Sequence, residues 1–255
     1  MDDFWGVTIL LFIVLTLFVV VILKAMAYCN KYSYVRHEKV RMLDRYATLK
    51  SGDIILFIRH THGFTNSLFT NDLYSHGGMV VEVDGELFIS EATVDSLPNT
   101  TTGEEEALPS SSQINPLLHR LRNYPGALFL MPLKYPLTPK QEKILRDRVL
   151  VETPYPSAVH MLKAMFRIPV CAQARHCMQH LAWLLDEVGL TPTRYVERGD
   201  KMLELGFLVS SRGVTTLSDE PLGPEGLNVY GPVYELLFDM PPPKEAWAAA
   251  AAESV

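Results

Sequence analysis

The first hydrophobic block of the chain is continuous. Phe4 to Leu23 reads FWGVTILLFIVLTLFVVVIL, without a charge. No polar stripe interrupts it, so it predicts a helix apolar on all sides. At 1.5 Å of rise per residue, such a run covers the roughly 30 Å hydrocarbon layer of a bilayer. Trp5 and Tyr28 stand where interfacial aromatics belong. A cleaved signal peptide is the rival reading, since Ala25-Met26-Ala27 fits a small-x-small cleavage site. Against it, the run exceeds an h-region, and Asp2 and Asp3 make the leading residues acidic where a signal is basic.

After the block, the pattern changes to short apolar runs between turn residues. Residues 24–46 predict a basic, partly helical stalk, and Lys50-Ser51-Gly52-Asp53 a turn. IILFI (54–58) and ALFLMPL (127–133) predict buried strands. MVVEV and ELFIS flank Asp84-Gly85, a type I′ hairpin signal. Residues 59–75 and 94–116 are polar enough to predict loops, the second containing NTTTGEEE and PSSS. Helical patterns start at Thr138-Pro139 and run to about Val151. Others cover about 156–166, 175–188 (stopped by Gly189) and about 194–204. The end, PPPKEAWAAAAAESV, is low in complexity and predicts disorder or a weak helix.

Charge orients the first helix. Lys24, Lys31, Arg36, Lys39 and Arg41 follow it, and acidic residues precede it. The excess of cations places the N-terminus outside and the remainder in the cytosol, or in a virion interior. There the sequon Asn99-Thr100-Thr101 would stay unmodified, and Cys29, next to the bilayer, is either a palmitoylation site or an unmodified thiol. The 255 residues carry a net charge of −6, which excludes a nucleic-acid footprint, and three cysteines are too few for a disulfide scaffold.

Candidate chemistry begins with the 175–188 helix. Leu181, Leu184, Leu185 and Val188 follow Cys177 at helical spacing, which puts Cys177 in the first turn on the inward face. The unpaired N–H groups of a helix N-terminus lower a thiol pKa and can hold an oxyanion. A buried inert cysteine fits the same spacing. The hairpin adds a second element. With a two-residue loop, Val83 pairs with Glu86 and His76 faces Thr93. His76 and Glu91 then become diagonal neighbours on one face, about 7–8 Å apart. A carboxylate beside an imidazole fixes its tautomer and stabilises the imidazolium.

GDIILF, a polar loop, YSHGGMVVEVDGELFISEAT, a strand, two helices and RHCMQHLAWLLDEVGL after TPYP form an ordered set. It resembles the circularly permuted NlpC-type papain-fold cysteine hydrolases. These include YiiX-like proteins, lecithin:retinol acyltransferase-like enzymes and members encoded by large DNA viruses. The resemblance implies an α+β permuted papain-like domain, a small antiparallel sheet packed on helices, behind one transmembrane helix. It implies Cys177 as nucleophile, His76 as base, Glu91 as the third polar residue and Tyr155 as a substrate-side residue, with no cofactor and no metal. Cys177-Met178-Gln179 departs from the Cys-Ser-Glu of bacterial relatives, and Pro156 replaces their Asp after the tyrosine.

The expected organisation is a membrane helix (1–23), a stalk (24–47), the hydrolase domain (48–205) and a C-terminal extension (206–255). The expected partners are the bilayer and an amide- or ester-containing lipid or peptide, with no nucleic acid. The other functional reading is a silent structural or adaptor membrane protein on the same fold, such as a virion membrane component. A zinc site drawn from Cys171, His176, Cys177 and His180 lacks a second paired motif, and His180 would lie at the site edge or on the surface. His60-Thr61-His62 reads as a solvated loop.

Overall fold

The computed structural model describes residues 6, 8–22, 37–59, 74, 76–93, 97–98, 105–106, 111–124, 126–157, 174–191 and 229–238. In chain order the elements are α1 (8–22), β1 (Glu38–Arg41), α2 (Met42–Tyr46), β2 (Ile54–Arg59), β3 (His76–Val83), β4 (Glu86–Thr93), β5 (Leu97–Pro98) and β6 (Glu105–Glu106). They continue with β7 (Ser111–Pro116), α3 (Leu117–Arg122), β8 (Gly126–Met131), α4 (Pro139–Val149), α5 (Cys177–Glu187) and β9 (Tyr234–Leu237).

Seven strands form one sheet in the order β1-β9-β8-β2-β3-β4-β7, and β5 pairs with β6 separately. Every pairing is antiparallel except that of β1 with β9. The central strand β2 explains its own sequence. Ile54, Ile55, Leu56, Phe57 and Ile58 are all within 1% of complete burial, so both faces of the sheet are covered and no polar alternation survives. On one face Ile54, Leu56, Ile58, Met79 and Val81 pack with Leu145 and Val149 of α4 and Leu181, Leu184 and Leu185 of α5. On the other, Ile55, Phe57, Val80 and Ile89 pack with Met42 of α2 and Leu117 and Leu121 of α3.

Local chemistry sets the element ends. Asp84 and Gly85 have φ of 52° and 83°, as a type I′ turn requires, and Val83 pairs with Glu86. The β3–β4 ladder keeps the expected register as far as Met79 opposite Ser90. Thr138 caps α4 by accepting the Gln141 N–H, and Gln141 Oε1 accepts the Thr138 N–H at 3.0 Å. Gly189, at φ 73°, closes α5.

Four parts differ from expectation. The sheet is larger than a small antiparallel one and includes a parallel pair. Residues 38–41 of the expected stalk are strand β1. Residues 111–116 of the expected 94–116 loop are β7, followed directly by α3. Tyr234–Leu237, within the expected extension, is β9, an interior strand between β1 and β8. The sequence pattern of β7 does not read as a strand because it buries polar side chains whose partners are distant in sequence: Ser112 Oγ donates to Val151 O and accepts the Thr153 N–H. The helices expected near 156–166 and 194–204 lie outside the described residues from 158 and 192 onward, as do Cys29, Cys171, the sequon and His60–His62.

In α1 the large apolar side chains from Ile9 to Val20 are 45–71% exposed. Among the described residues no helix is long and apolar enough to cross a membrane.

Candidate active site

Two glycines open the site. A methyl group on Gly77 would stand 2.9 Å from Leu181 Cδ1 and 3.2 Å from Met178 Cε, so the first turns of α5 rest directly on the start of β3. A methyl group on Gly78 would stand 2.7 Å from Ile89 Cγ1 on the neighbouring strand. At Gly78 a side chain would also crowd the Ser90 carbonyl oxygen at 3.0 Å, whereas at Gly77 the ends of Leu181 and Met178 would have to give way. This close approach brings the first residue of α5, Cys177, to the first residue of β3, His76.

His76 and Glu91 project on the α3 side of the sheet. His76 Nε2 lies 2.6 Å from Glu91 Oε2, and the Phe57 ring stands 5.1 Å from the imidazole. That contact leaves Nδ1 as the ring nitrogen available to the Cys177 thiol, the charge of which acts on the imidazole. Cys177 is 7% exposed and the His76 side chain 13%, enough to be approached yet mostly screened from water.

Burial alone would raise the Cys177 thiol. The positive charge and hydrogen bond of His76, with a hydrogen bond from His176, reverse this and bring it down to about 5. Burial alone would lower His76. The thiolate charge and hydrogen bond of Cys177, followed by those of Glu91, carry it up to about 9. Between these values the resting pair is a thiolate and an imidazolium. Cys177 also heads its helix, where the first N–H groups lack intrahelical acceptors and the dipole favours negative charge.

Glu91 is completely buried, which costs a carboxylate its charge unless donors surround it. Four donors do. Its Oε1 accepts from Arg120 Nε at 2.6 Å and Asn115 Nδ2 at 3.2 Å. Its Oε2 accepts from His76 and from an Arg120 terminal nitrogen at 3.0 Å. Burial pushes the carboxyl up, but His76 and Arg120 outweigh it and hold the group down at about 2. Sequence reasoning missed Asn115 and Arg120. One signal existed: Arg120 shares the i, i+3, i+4 stripe of Leu117 and Leu121, a charged residue on a buried face.

His180 is neither at the surface nor at the site edge. It is fully buried, and its Nε2 is 2.9 Å from Ser90 Oγ on the α5 side of the sheet. Burial, then the Arg175 charge, hold it neutral, down at about 3. Among the described residues no group of three His, Cys, Asp or Glu side chains is placed to hold a metal ion. Tyr155 is half-buried beside Pro154, whose carbonyl accepts the Arg175 N–H at 3.1 Å. Its segment therefore reaches the approach to Cys177.

No protein-family description and no curated protein matches the chain. Among solved structures, it is similar to one described as the metalloprotein YiiX from Escherichia coli O157:H7, DUF1105. The identity is 14%, over 75% of this chain and 98% of that one, with a TM-score of 0.36.

Proposed function

We propose that this protein is a membrane-anchored thiol hydrolase that acts on an amide or ester through an acyl-enzyme thioester. One observation carries the reading: a cysteine at a helix N-terminus is electrostatically paired with His76, which is hydrogen-bonded to a buried, ionised Glu91. The Cys177 thiolate attacks the acyl carbon, and the backbone N–H groups at the start of α5 receive the charge developing on the carbonyl oxygen. As the tetrahedral intermediate collapses, the bond to the leaving group breaks and His76 Nδ1 donates its proton to that group. The neutral imidazole then takes a proton from water, and the resulting hydroxide equivalent releases the acid and frees the thiolate. A lipid or amine acceptor in place of water would make the same steps an acyl transfer. Glu91 keeps its acceptor on Nε2 throughout, which fixes the ring orientation.

The exposed apolar side chains of α1 support an anchor in the bilayer, with the catalytic domain on the cytosolic or virion-interior side. Following the resemblance of its TPYP segment, Tyr155 is taken as a substrate-side residue.

Labelling of the full chain with an acyl-type thiol probe tests the reading. Cys177 takes the label, Cys177→Ala abolishes it and His76→Ala weakens it. Equal labelling of wild type and Cys177→Ala overturns the nucleophile assignment. For the anchor, the full chain is expected to stay with membranes through alkaline carbonate extraction, and its release would remove that part of the proposal.

A further inference from the structure

Arg120 is 2% exposed and lies on a different element from each member of the Cys177–His76–Glu91 row. Its guanidinium presents Nε and a terminal nitrogen to the two oxygens of Glu91 as a fork, at 2.6 and 3.0 Å. The cation also lies against two rings, with Cζ 5.5 Å from the Phe57 centroid and 5.4 Å from that of Tyr124. Phe57 in turn touches the His76 ring, so the same aromatic wall braces cation and imidazole.

The charges along this line alternate: thiolate, imidazolium, carboxylate, guanidinium. A carboxylate in such a dry place with only an imidazole opposite would compete for the imidazole proton. With the guanidinium on its far side it cannot, because its charge is already matched and its four acceptor positions are filled. The proton then stays on the ring, where the thiolate needs it.

We propose that Arg120 is a positioning residue of the catalytic row: its bidentate clamp holds Glu91 charged and oriented, and through Glu91 it keeps the imidazolium of His76 aimed at Cys177. The inference rests on the hydrolase reading above. The other charged or titratable groups facing the row are His176 beside the thiol, His180 on the opposite face of the sheet and Arg175 before α5. None of them is hydrogen-bonded to Glu91 among the described contacts. Asn115 is the neutral partner on β7.

The role predicts a sign. If Arg120 is lost, Glu91 stays charged and unmatched, or takes a proton and releases His76. In the first case the thiolate loses one unit of positive charge nearby; in the second, where the proton Glu91 takes is that of His76, it loses the imidazolium itself, and in both a higher pH is needed to form it. The test is the pH dependence of Cys177 alkylation by iodoacetamide in the full chain. Peptide mass spectrometry reads Cys177 separately from Cys29 and Cys171.

Arg120→Met is expected to move the acid limb up by about one pH unit or more, an approximately tenfold slower reaction at a pH on that limb. Arg120→Lys, which keeps the charge but loses the fork, is expected to fall between Met and wild type. A purely structural role would lower thermal stability and leave the limb of the folded fraction in place, and superimposed profiles for all three proteins overturn the proposal. If Arg120→Met does not fold, wild type against Arg120→Lys decides on the same criterion. A wild-type limb at the ordinary thiol position would instead overturn the nucleophile reading itself, so the two failures are distinguishable.

Discussion

Gly77 of β3 lies directly beneath Leu181 of α5, with no room between them for a methyl group. The contact is far from the Cys177 sulfur in function, yet it sets how near the helix start can come to His76. Overpacking of a filled core typically costs about 1–3 kcal/mol and is relieved by backbone shifts. Gly77→Ala is therefore expected to lower stability by about that amount and to reduce Cys177 labelling more than the loss of folded protein explains. Thermal denaturation and probe labelling on one sample measure both. Labelling that falls only in step with folded protein would show that α5 accommodates the change without moving.

The thiolate–imidazolium pair predicts a bell-shaped pH dependence. The rate rises as Cys177 loses its proton near about 5 and falls as His76 loses its own near about 9. An unassisted thiol would instead begin to react at about 8.5. Iodoacetamide kinetics at Cys177 report the acid limb, and turnover of a generic acyl ester reports both limbs. A single limb at the ordinary thiol value would show that the pair does not form.

Glu91 makes stability depend on acid. Its folded value, about 2, lies below the ordinary carboxylate value, so its contribution is complete above the ordinary value and is lost as pH falls toward 2. Glu91→Gln removes that slope. It also leaves Arg120 buried without its counter-charge, a change that costs about 3–5 kcal/mol in comparable settings. Urea titrations between pH 2.5 and 7 should therefore show a lower, flatter stability profile for Glu91→Gln than for wild type. Parallel profiles would mean that Glu91 is not the group titrating.

His180 gives a control of opposite character. Among the described residues its Nδ1 has no hydrogen-bond partner, and the contact of Nε2 with Ser90 is the one that satisfies the buried ring. Ser90→Ala is expected to cost about 1–3 kcal/mol while leaving the pH profile of Cys177 alkylation unchanged. A displaced profile would assign His180 to the chemistry instead of the core.

Much of this was legible because the signals were local. The hairpin needed two turn residues, α4 a capping threonine and a proline, and α5 a leucine stripe ending at a glycine. Once the turn fixed the register, the shared face of His76 and Glu91 followed from strand geometry. What escaped was held together at long range. Ser111–Pro116 has too little apolar character to read as a strand, and it becomes one because β4 offers a ladder and nearby groups satisfy its serines. Arg120 looks like any helical arginine until Glu91, from another element, is placed against it. β1 and β9 are short runs without a turn between them, each depending on a partner at the opposite end of the domain.

That last pairing governs the order of assembly. Glu38–Arg41 is synthesised early and pairs with Tyr234–Leu237, which leaves the ribosome last of the described strands. Until then β1 has no neighbour, and β8 has a bare flank where β9 will insert. Non-local closure of this kind is slow, and unpaired strand edges recruit other chains. A nascent copy that has not yet reached β9 would thus display two adhesive borders, and only the arrival of Tyr234–Leu237 can seal them.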